Sequence, residues 1–320
     1  MCTKAKTPSV AVVLPTYNRA RHVCEAIDSI LAQEARPEEV IVVDDGSTDD
    51  TLQVLSRYGD AIRVIAQDNA GASAARNAGA AAATADWLTF LDSDDLWRPE
   101  RMTLLRRDLA AAPPEAVAHV ANVMFRGVGD DRDFFSVARI AVPPGPVRRV
   151  DRPLGLFLHS FFLIGAAFRR DVFADLGGFD TGFPTDEDTE LAHRMADRGP
   201  FLVRGDVVAE VIRRAGDDDA LSALRGRDPI LASDLKLRHF RGILARAQDP
   251  NDRALAARAL SDALLQRAGL IRGQGGGGYW GALAASARSH PSPLKGWIKA
   301  VRAAVAGHRS RATVDRTGPA

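Results

Sequence analysis

Leu88-Thr-Phe-Leu91 is an apolar, strand-like run that breaks off into Asp92, Ser93, Asp94 and Asp95, three carboxylates within four residues. Adjacent acids repel one another, so a chain gains nothing from clustering them unless a cation sits among them. Hard divalent cations such as Mg2+ and Mn2+ take oxygen ligands and are held by one or two carboxylates plus substrate phosphates. A strand that delivers such a cluster at its carboxyl end puts it where open α/β sheets bind ligands. The competing reading is a solvated acidic turn, and the motifs upstream bear on the choice.

A Gly-rich phosphate loop is missing after every strand-like run, which argues against a dinucleotide-binding Rossmann enzyme and a P-loop NTPase. Without such a loop, a bound diphosphate needs a metal and a basic side chain. Arg76 offers the latter, on a helix whose amino end follows Gly71, and helix amino ends favour anions. Tyr17 and Asp45 each follow or close a strand-like run, where an aromatic face can stack on a base and a carboxylate can accept from a base N–H. Alone, each has a bland reading: a surface ion pair for Arg76, core burial for Tyr17, turn formation with Gly46 for Asp45. Together they make up a nucleoside-diphosphate cleft.

The elements that must position these residues alternate. Val10–Leu14 and Val40–Val43 are continuous apolar runs, as in strands buried on both faces. Between them Val23, Ile27, Ile30 and Leu31 recur at helical spacing. Thr48 or Asp49 can cap a short helix with Leu52 and Leu55 on one face. Residues 62–66 form a third strand, 72–83 an alanine-rich helix and 87–91 a fourth strand. This rhythm predicts a mostly parallel sheet flanked by helices. A helix over 99–112 and a strand over 116–125 follow, then polar and Pro-rich loops over 126–153. Residues 188–198 are helical, and 201–203 and 207–212 are two strand-like pieces. From about 220 the chain is Ala-, Leu- and Arg-rich and helical, interrupted by Gly275–Gly278.

The 320 residues, 46% hydrophobic and 26% charged, have the composition of a soluble globular protein. Two cysteines without a CxxC pair indicate neither a disulfide framework nor a zinc site. The N-terminus lacks the apolar core of a secretory signal, and the longest apolar stretch, 154–168, is shorter than the roughly 20 residues of a membrane span. A cytoplasmic protein is expected. The net charge of +1 hides an asymmetry: 25 basic and 35 acidic residues before position 221, 17 and 6 after it. Leu294, Ile298, Val301 and Val305 share a helical face flanked by Lys295, Lys299 and Arg302. Such a helix either packs on the acidic part or makes peripheral contact with a membrane.

Four motifs carry a specific resemblance: Val12-Val-Leu-Pro-Thr-Tyr-Asn18, Val42-Val-Asp-Asp-Gly-Ser-Thr-Asp49, Asn69-x-Gly-x-x-x-x-Arg-Asn77 and Leu91-Asp-Ser-Asp-Asp95. In order and spacing they resemble family 2 glycosyltransferases of the GT-A fold, over roughly residues 8–215. The resemblance implies a nucleoside pocket lined by Pro15, Thr16 and Tyr17, with Asp45 reading the base, Arg76 facing the diphosphate and Ser93 also on the donor. It makes Asp92 and Asp94 the family's D-x-D, with Asp94 nearest an Mg2+ or Mn2+ ion. Gly177-Gly-Phe-Asp180 and Glu187-Asp188-x-x-Leu191-x-x-Arg194 resemble the region of the catalytic base, which makes Asp188 the candidate base and Glu187 the second choice. The bland reading of that pair is a favourable helix amino end.

The implied activity is inverting transfer from a nucleoside-diphosphate sugar, UDP-sugars favoured, to a saccharide or lipid-linked acceptor in polysaccharide or glycoconjugate assembly, with no nucleic-acid partner. The implied organisation is a catalytic domain over 1–215, with donor binding over 8–98 and the acceptor side over 99–215, then a helical basic extension over 216–320 with a Gly-rich joint at 273–278. One departure is that Arg213-Arg214 stands where many relatives carry a histidine, with Asp217–Asp219 beyond it. The rivals are a sugar-1-phosphate nucleotidyltransferase, which would carry a Gly-rich, Arg-containing loop in place of Pro15-Thr-Tyr-Asn18, and a non-catalytic nucleotide-sugar binding protein, which would not need a base.

Overall fold

The computed structural model describes residues 7–127, 131–214, 228–273 and 284–286. Its first strand, β1 (Val10–Thr16), is buried along its whole length. Helix α1 (Val23–Leu31) turns Val23, Ala26, Ile27 and Ile30 inward at helical spacing. β2 (Glu39–Asp44), α2 (Thr51–Leu55), β3 (Arg63–Ala66), α3 (Ala72–Ala82) and β4 (Trp87–Phe90) continue the alternation. β5 (Leu96–Trp97), α4 (Arg101–Ala110), β6 (Ala118–Gly127), β7 (Arg132–Asp133), α5 (Phe134–Ala138) and β8 (Arg148–Val150) come next. They are followed by α6 (Leu154–Phe157), β9 (Ala166–Arg169), α7 (Arg170–Asp175), α8 (Glu187–Ala196) and β10 (Phe201–Arg213).

Among the described residues ten strands form one sheet, in the order β3-β2-β1-β4-β9-β6-β10-β5, with β7 on β6 and β8 on β10. β1 pairs in parallel with β2 and β4, β2 with β3, and β6 with β10, while β9 runs antiparallel between β4 and β6. This is the mostly parallel α/β sheet flanked by helices that the alternation predicts. Thr16 is in register with Asp44, and Val13 with Phe90. The carboxyl ends of β1, β2 and β4 therefore open on one edge of the sheet, which puts Tyr17, Asp45 and the acidic turn after Phe90 side by side. Helix α3 closes on this edge through a glycine: a Cβ at Gly79 would meet Val13 Cγ1 at 2.4 Å and Val43 Cγ2 at 3.1 Å.

Three local expectations are corrected. The pieces 201–203 and 207–212 are one strand, β10, with register shifts against β6 between Arg204 and Ala209. Arg204-Gly205-Asp206 looks like a breaker in sequence, but Arg204 is buried and donates to Asp108 through Nε (2.6 Å) and Nη2 (2.5 Å), so its charge is met inside the fold. Gly205 lets the strand pass the 142–143 backbone, where a Cβ would come within 2.3 Å of Pro143. Residues 126–153 hold β7, α5 and β8 rather than loops alone, because Asp133 caps α5 by accepting from Ser136 N at 3.0 Å and Phe134 and Phe135 are buried. Leu52 is 43% exposed while Leu55 is buried, since α2 is only five residues long and turns Val54 and Leu55 inward.

Contacts divide the chain into Met1–Leu221 and Ser222–Ala320. The described part of the second unit contains two helices, Pro229–Arg246 and Pro250–Gly273, packed on one another. Asp228 caps the first by accepting from Leu231 N at 2.9 Å, with Pro229 in its first turn. No helix of the described residues is long and apolar enough to cross a membrane. The expected domain boundary at 215–216, Asp217–Asp219, the glycine run 275–278 and the basic stretch 294–305 lie outside the described residues.

The contact of α3 with β1 generates a prediction. Gly79→Val should lower stability by about 1–3 kcal/mol through overpacking, although valine is the better helix former. An unchanged urea midpoint would show that the contact tolerates side-chain volume.

Candidate functional site

The edge is assembled by hydrogen bonds between its loops. Asn18, with a positive φ of 51°, donates its N–H to Ser47 Oγ at 2.9 Å and accepts from Thr48 N at 2.8 Å. The loops after β1 and β2 are thereby tied together. Tyr17 stands out from them, 46% exposed, while Pro15 and Thr16 before it are buried within β1. Asp45 is buried and takes protein donors on both oxygens: Gln67 Nε2 (2.7 Å) and Ala70 N (2.9 Å) on Oδ1, Gly71 N (2.8 Å) on Oδ2. It thus fixes the turn that leads into α3.

Just before Tyr17, the register pair Thr16 and Asp44 contains two buried atoms, Thr16 Oγ1 and Asp44 Oδ1, that have no hydrogen-bond partner among the described residues. Most buried polar atoms are paired, so such atoms call for a ligand or water. Asp44 was not singled out in the sequence; its place beside Asp45 was the available signal.

Arg76 projects from α3 between two acids. Its Nη2 donates to Asp92 Oδ1 at 2.6 Å and its Nη1 to Glu187 Oε1 at 2.7 Å, with the side chain 4% exposed. Its guanidinium also lies 5.6 Å from the centre of the Phe179 ring. Burial alone would lower its pKa, but the charges of Asp92 and Glu187 hold it above its ordinary value. Two further contacts set this geometry. Asn77 exchanges hydrogen bonds with the backbone of Phe179, at 2.9 and 2.8 Å, which docks α3 on the 177–180 turn. Arg194 grips Glu190 and donates to the Leu176 and Gly178 carbonyls at 2.8 Å each, which docks α8 on the same turn.

Asp188 follows Glu187 in the first turn of α8 and is half-buried. Its Oδ1 accepts from Thr189 N at 2.6 Å. Burial, and then the neighbouring charge of Glu187, push its pKa up to about 7.

The acidic turn relieves its repulsion in three ways. Asp92 pairs with Arg76, and Asp94 Oδ2 faces Arg19 Nη2 at 3.6 Å. Asp95 is buried, accepts from Ile212 N at 3.0 Å, and is pushed well above the usual carboxylate range by burial and by the charges of Asp92 and Asp94. Ser93 is buried between them. Arg214 donates to the Asp94 carbonyl at 2.9 Å and to Glu25 at 2.7 Å, while Arg213 lies over the Phe125 ring at 5.2 Å. Guanidinium groups thus supply the cations that the cluster demands. Arg19 was not singled out either, although it directly follows the Pro15–Asn18 run.

The described residues hold no group of three His, Cys, Asp or Glu able to bind a metal by themselves. Asp92 and Asp94 keep side chains 35% and 30% exposed. As hard, partly exposed carboxylate donors they fit an Mg2+ or Mn2+ ion that brings phosphate oxygens as its remaining ligands.

Residues 11–177 match the model described as glycosyl transferase family 2, over half of the chain. Among curated proteins, the succinoglycan biosynthesis protein ExoO of Rhizobium meliloti is 45% identical over 125 residues, which is 38% of this chain and 36% of that protein. An uncharacterized glycosyltransferase of Nostoc sp. is 42% identical over 119 residues, 36% of this chain and 37% of that protein. The matched segments thus span little more than a third of these relatives. Among solved structures, S. aureus TarS (residues 1–349) in complex with UDP-GlcNAc superposes with a TM-score of 0.62 at 20% identity, over 91% of this chain and 79% of that one. The mannosyltransferase PcManGT from Pyrobaculum calidifontis, in complex with GDP-Man and Mn2+, gives 0.58 at 24% identity, over 94% and 87%. At these identities the superpositions establish the GT-A fold.

The Arg76 bridge is testable. Arg76→Ala leaves two partly buried carboxylates without their charge-assisted bonds and should lower stability by about 1.5–3 kcal/mol. Arg76→Lys should recover less than half of that, because one ammonium cannot serve two carboxylates as a planar fork does. Denaturant titration of both variants measures this, and full recovery by lysine would mean that charge alone, without the fork, suffices.

Proposed function

This chain belongs to glycosyl transferase family 2, and from that premise we propose that it moves a sugar from a nucleoside-diphosphate sugar to an acceptor hydroxyl with inversion. One observation carries the reading: a single sheet edge brings Tyr17, the Asp92–Asp94 turn and the Glu187–Asp188 pair together, with Arg76 bonded to both acidic segments. Binding alone would not need a half-buried carboxylate with a pKa raised to about 7 beside that turn. A Gly-rich nucleotidyltransferase loop has no counterpart in Pro15-Thr-Tyr-Asn18.

In this reading Tyr17 stacks on the base, and the unpaired Thr16 Oγ1 and Asp44 Oδ1 take nucleoside or water hydrogen bonds. Asp45 holds the 67–71 turn against the pocket, with a remaining lone pair for a base N–H. Asp94 and Asp92 would hold an Mg2+ or Mn2+ ion, which supplies Lewis-acid stabilisation of the departing diphosphate. Arg76 keeps Asp92 in place and adds positive charge beneath the diphosphate, and Ser93 shapes the turn. Asp188 accepts the acceptor's hydroxyl proton while the acceptor oxygen bonds to the anomeric carbon. The bond from that carbon to the diphosphate oxygen breaks, and the nucleoside diphosphate leaves with the electron pair. One displacement with one base inverts the anomeric centre.

Several features support the finer reading. ExoO is named for succinoglycan biosynthesis, which favours a saccharide or lipid-linked acceptor in polysaccharide assembly. The solved neighbours hold UDP-GlcNAc in one case and GDP-Man in another, and UDP-sugars remain the favoured donors here. A lipid-linked acceptor would place the enzyme at the cytoplasmic face of a membrane, with the basic stretch 294–305 as the contact element. Release of nucleoside diphosphate from a panel of nucleotide sugars, with and without saccharide acceptors, tests the whole reading; protection from thermal unfolding without any turnover would leave a binding protein.

Two variants test the roles. Asp188→Asn should keep donor affinity and lose about 10²–10⁴-fold in transfer. In the wild type the base must be deprotonated, so kcat/KM should rise with pH through about 7 rather than near the ordinary carboxylate value. A profile already flat from pH 5 upward would remove Asp188 as the base. Tyr17→Ala should weaken nucleoside diphosphate binding by about 1–3 kcal/mol and spare the fold, because the ring is largely outside the core. Undiminished affinity in a calorimetric titration would end the stacking assignment.

A further inference from the structure

Asp92 and Asp94 each face a guanidinium, and the two guanidiniums are held in very different ways. Arg76 makes two short contacts, 2.6 Å to Asp92 and 2.7 Å to Glu187, with its side chain 4% exposed. Arg19 makes one contact with Asp94, at 3.6 Å, between side chains 26% and 30% exposed. A two-pronged, charge-assisted bridge from a buried guanidinium is costly to break, whereas a single half-buried ion pair at 3.6 Å is held less tightly. Of the two arginines only Arg19 is placed to move.

Its surroundings are otherwise fixed. The Arg19 N–H donates to Thr51 Oγ1 at 3.0 Å, and the preceding Asn18 is bonded to Ser47 and Thr48, so the backbone that carries the side chain is pinned. The opposite partner is pinned too: Arg214 donates to the Asp94 carbonyl at 2.9 Å, and Ile212 N donates to Asp95 at 3.0 Å. Between two rigid loops, one flexible guanidinium bridges to the carboxylate assigned nearest the metal.

We propose that Arg19 is a resident counter-ion of Asp94 that yields its place to a divalent cation when the nucleoside diphosphate binds, turning its guanidinium to a diphosphate oxygen. The inference rests on the reading of Asp94 as a metal ligand. The exchange keeps a positive charge facing Asp94 at every stage. It also couples the two ligands. With no diphosphate to receive it, Arg19 competes with the cation for Asp94; with a diphosphate present, it gains a second anion and the competition ends. Cation affinity therefore depends on nucleotide, and by linkage nucleotide affinity depends on the cation.

Mn2+ binding, read from the free-ion electron paramagnetic resonance signal, tests this on the full chain without any turnover. Wild type, Arg19→Ala, Arg19→Lys and Asp94→Asn are each titrated alone and with UDP, or with GDP where that binds more tightly. Arg19→Ala should bind Mn2+ alone about two- to fivefold more tightly than wild type, yet bind nucleotide in the presence of Mn2+ about tenfold more weakly. Arg19→Lys should fall between, and Asp94→Asn should lose Mn2+ in both conditions. Unchanged or weaker Mn2+ binding by Arg19→Ala overturns the counter-ion role, and loss of Mn2+ by Asp94→Asn in the same series shows that the metal assignment survives. No Mn2+ binding by wild type even with nucleotide overturns both.

Discussion

Arg76 bonds to two carboxylates that lie 16 and 111 positions away in the chain, and the geometry of the cleft depends on that bridge. A guanidinium does not shed its charge, so burying it requires permanent partners with good hydrogen-bond geometry. Asp92 and Glu187 are those partners, and neither can drift without exposing the other to an unbalanced buried cation. The turn after β4 and the first turn of α8 are thereby held together. The supports of Arg76 are equally specific: Gly79 lets α3 press onto β1, and Asn77 and Arg194 join α3 and α8 to the same 177–180 turn. Helix, turn and helix form a rigid frame around one charge.

The distribution of charge along the edge follows from this frame. Each carboxylate has a different neighbour and so a different character. Asp92 is neutralised by a buried guanidinium, and Asp94 by a loosely held one. Asp95 is buried beside both, where burial and their charges favour its protonated form. Asp188 sits half-buried next to Glu187, and burial, then that neighbour, bring its pKa to about 7. Four acids near one sheet edge thus acquire four different characters from geometry. Arg76 bonds Asp92 at 2.6 Å, whereas Arg19 faces Asp94 at 3.6 Å, so the two pairs differ in how tightly they are held.

Local pattern was enough to read the framework. Short apolar runs such as Val10–Leu14, rich in valine, read as doubly covered strands, and their alternation with helical periodicity points to a parallel sheet. The motifs at the strand ends followed from the same logic, since parallel strands in register deliver their carboxyl ends to one edge. Local pattern failed where a distant partner overrides it. Arg204-Gly205-Asp206 continues a strand because Asp108, 96 residues away, takes the Arg204 charge. The 131–138 segment folds because its phenylalanines find a core and Asp133 caps the short helix between them.

The same boundary runs through the site. Sequence determined the residue types that can do the chemistry and the edge on which they stand, because side-chain chemistry and strand direction are local properties. It could not determine which carboxylate meets which arginine, that both Asp45 oxygens bond to the 67–71 turn, or that Asp188 acquires a raised pKa. Those facts depend on distances of about 3 Å between residues far apart in the chain and on how much water is excluded around them. Burial and pairing are set by packing alone, and packing exists only once the sheet, α3 and α8 have come together.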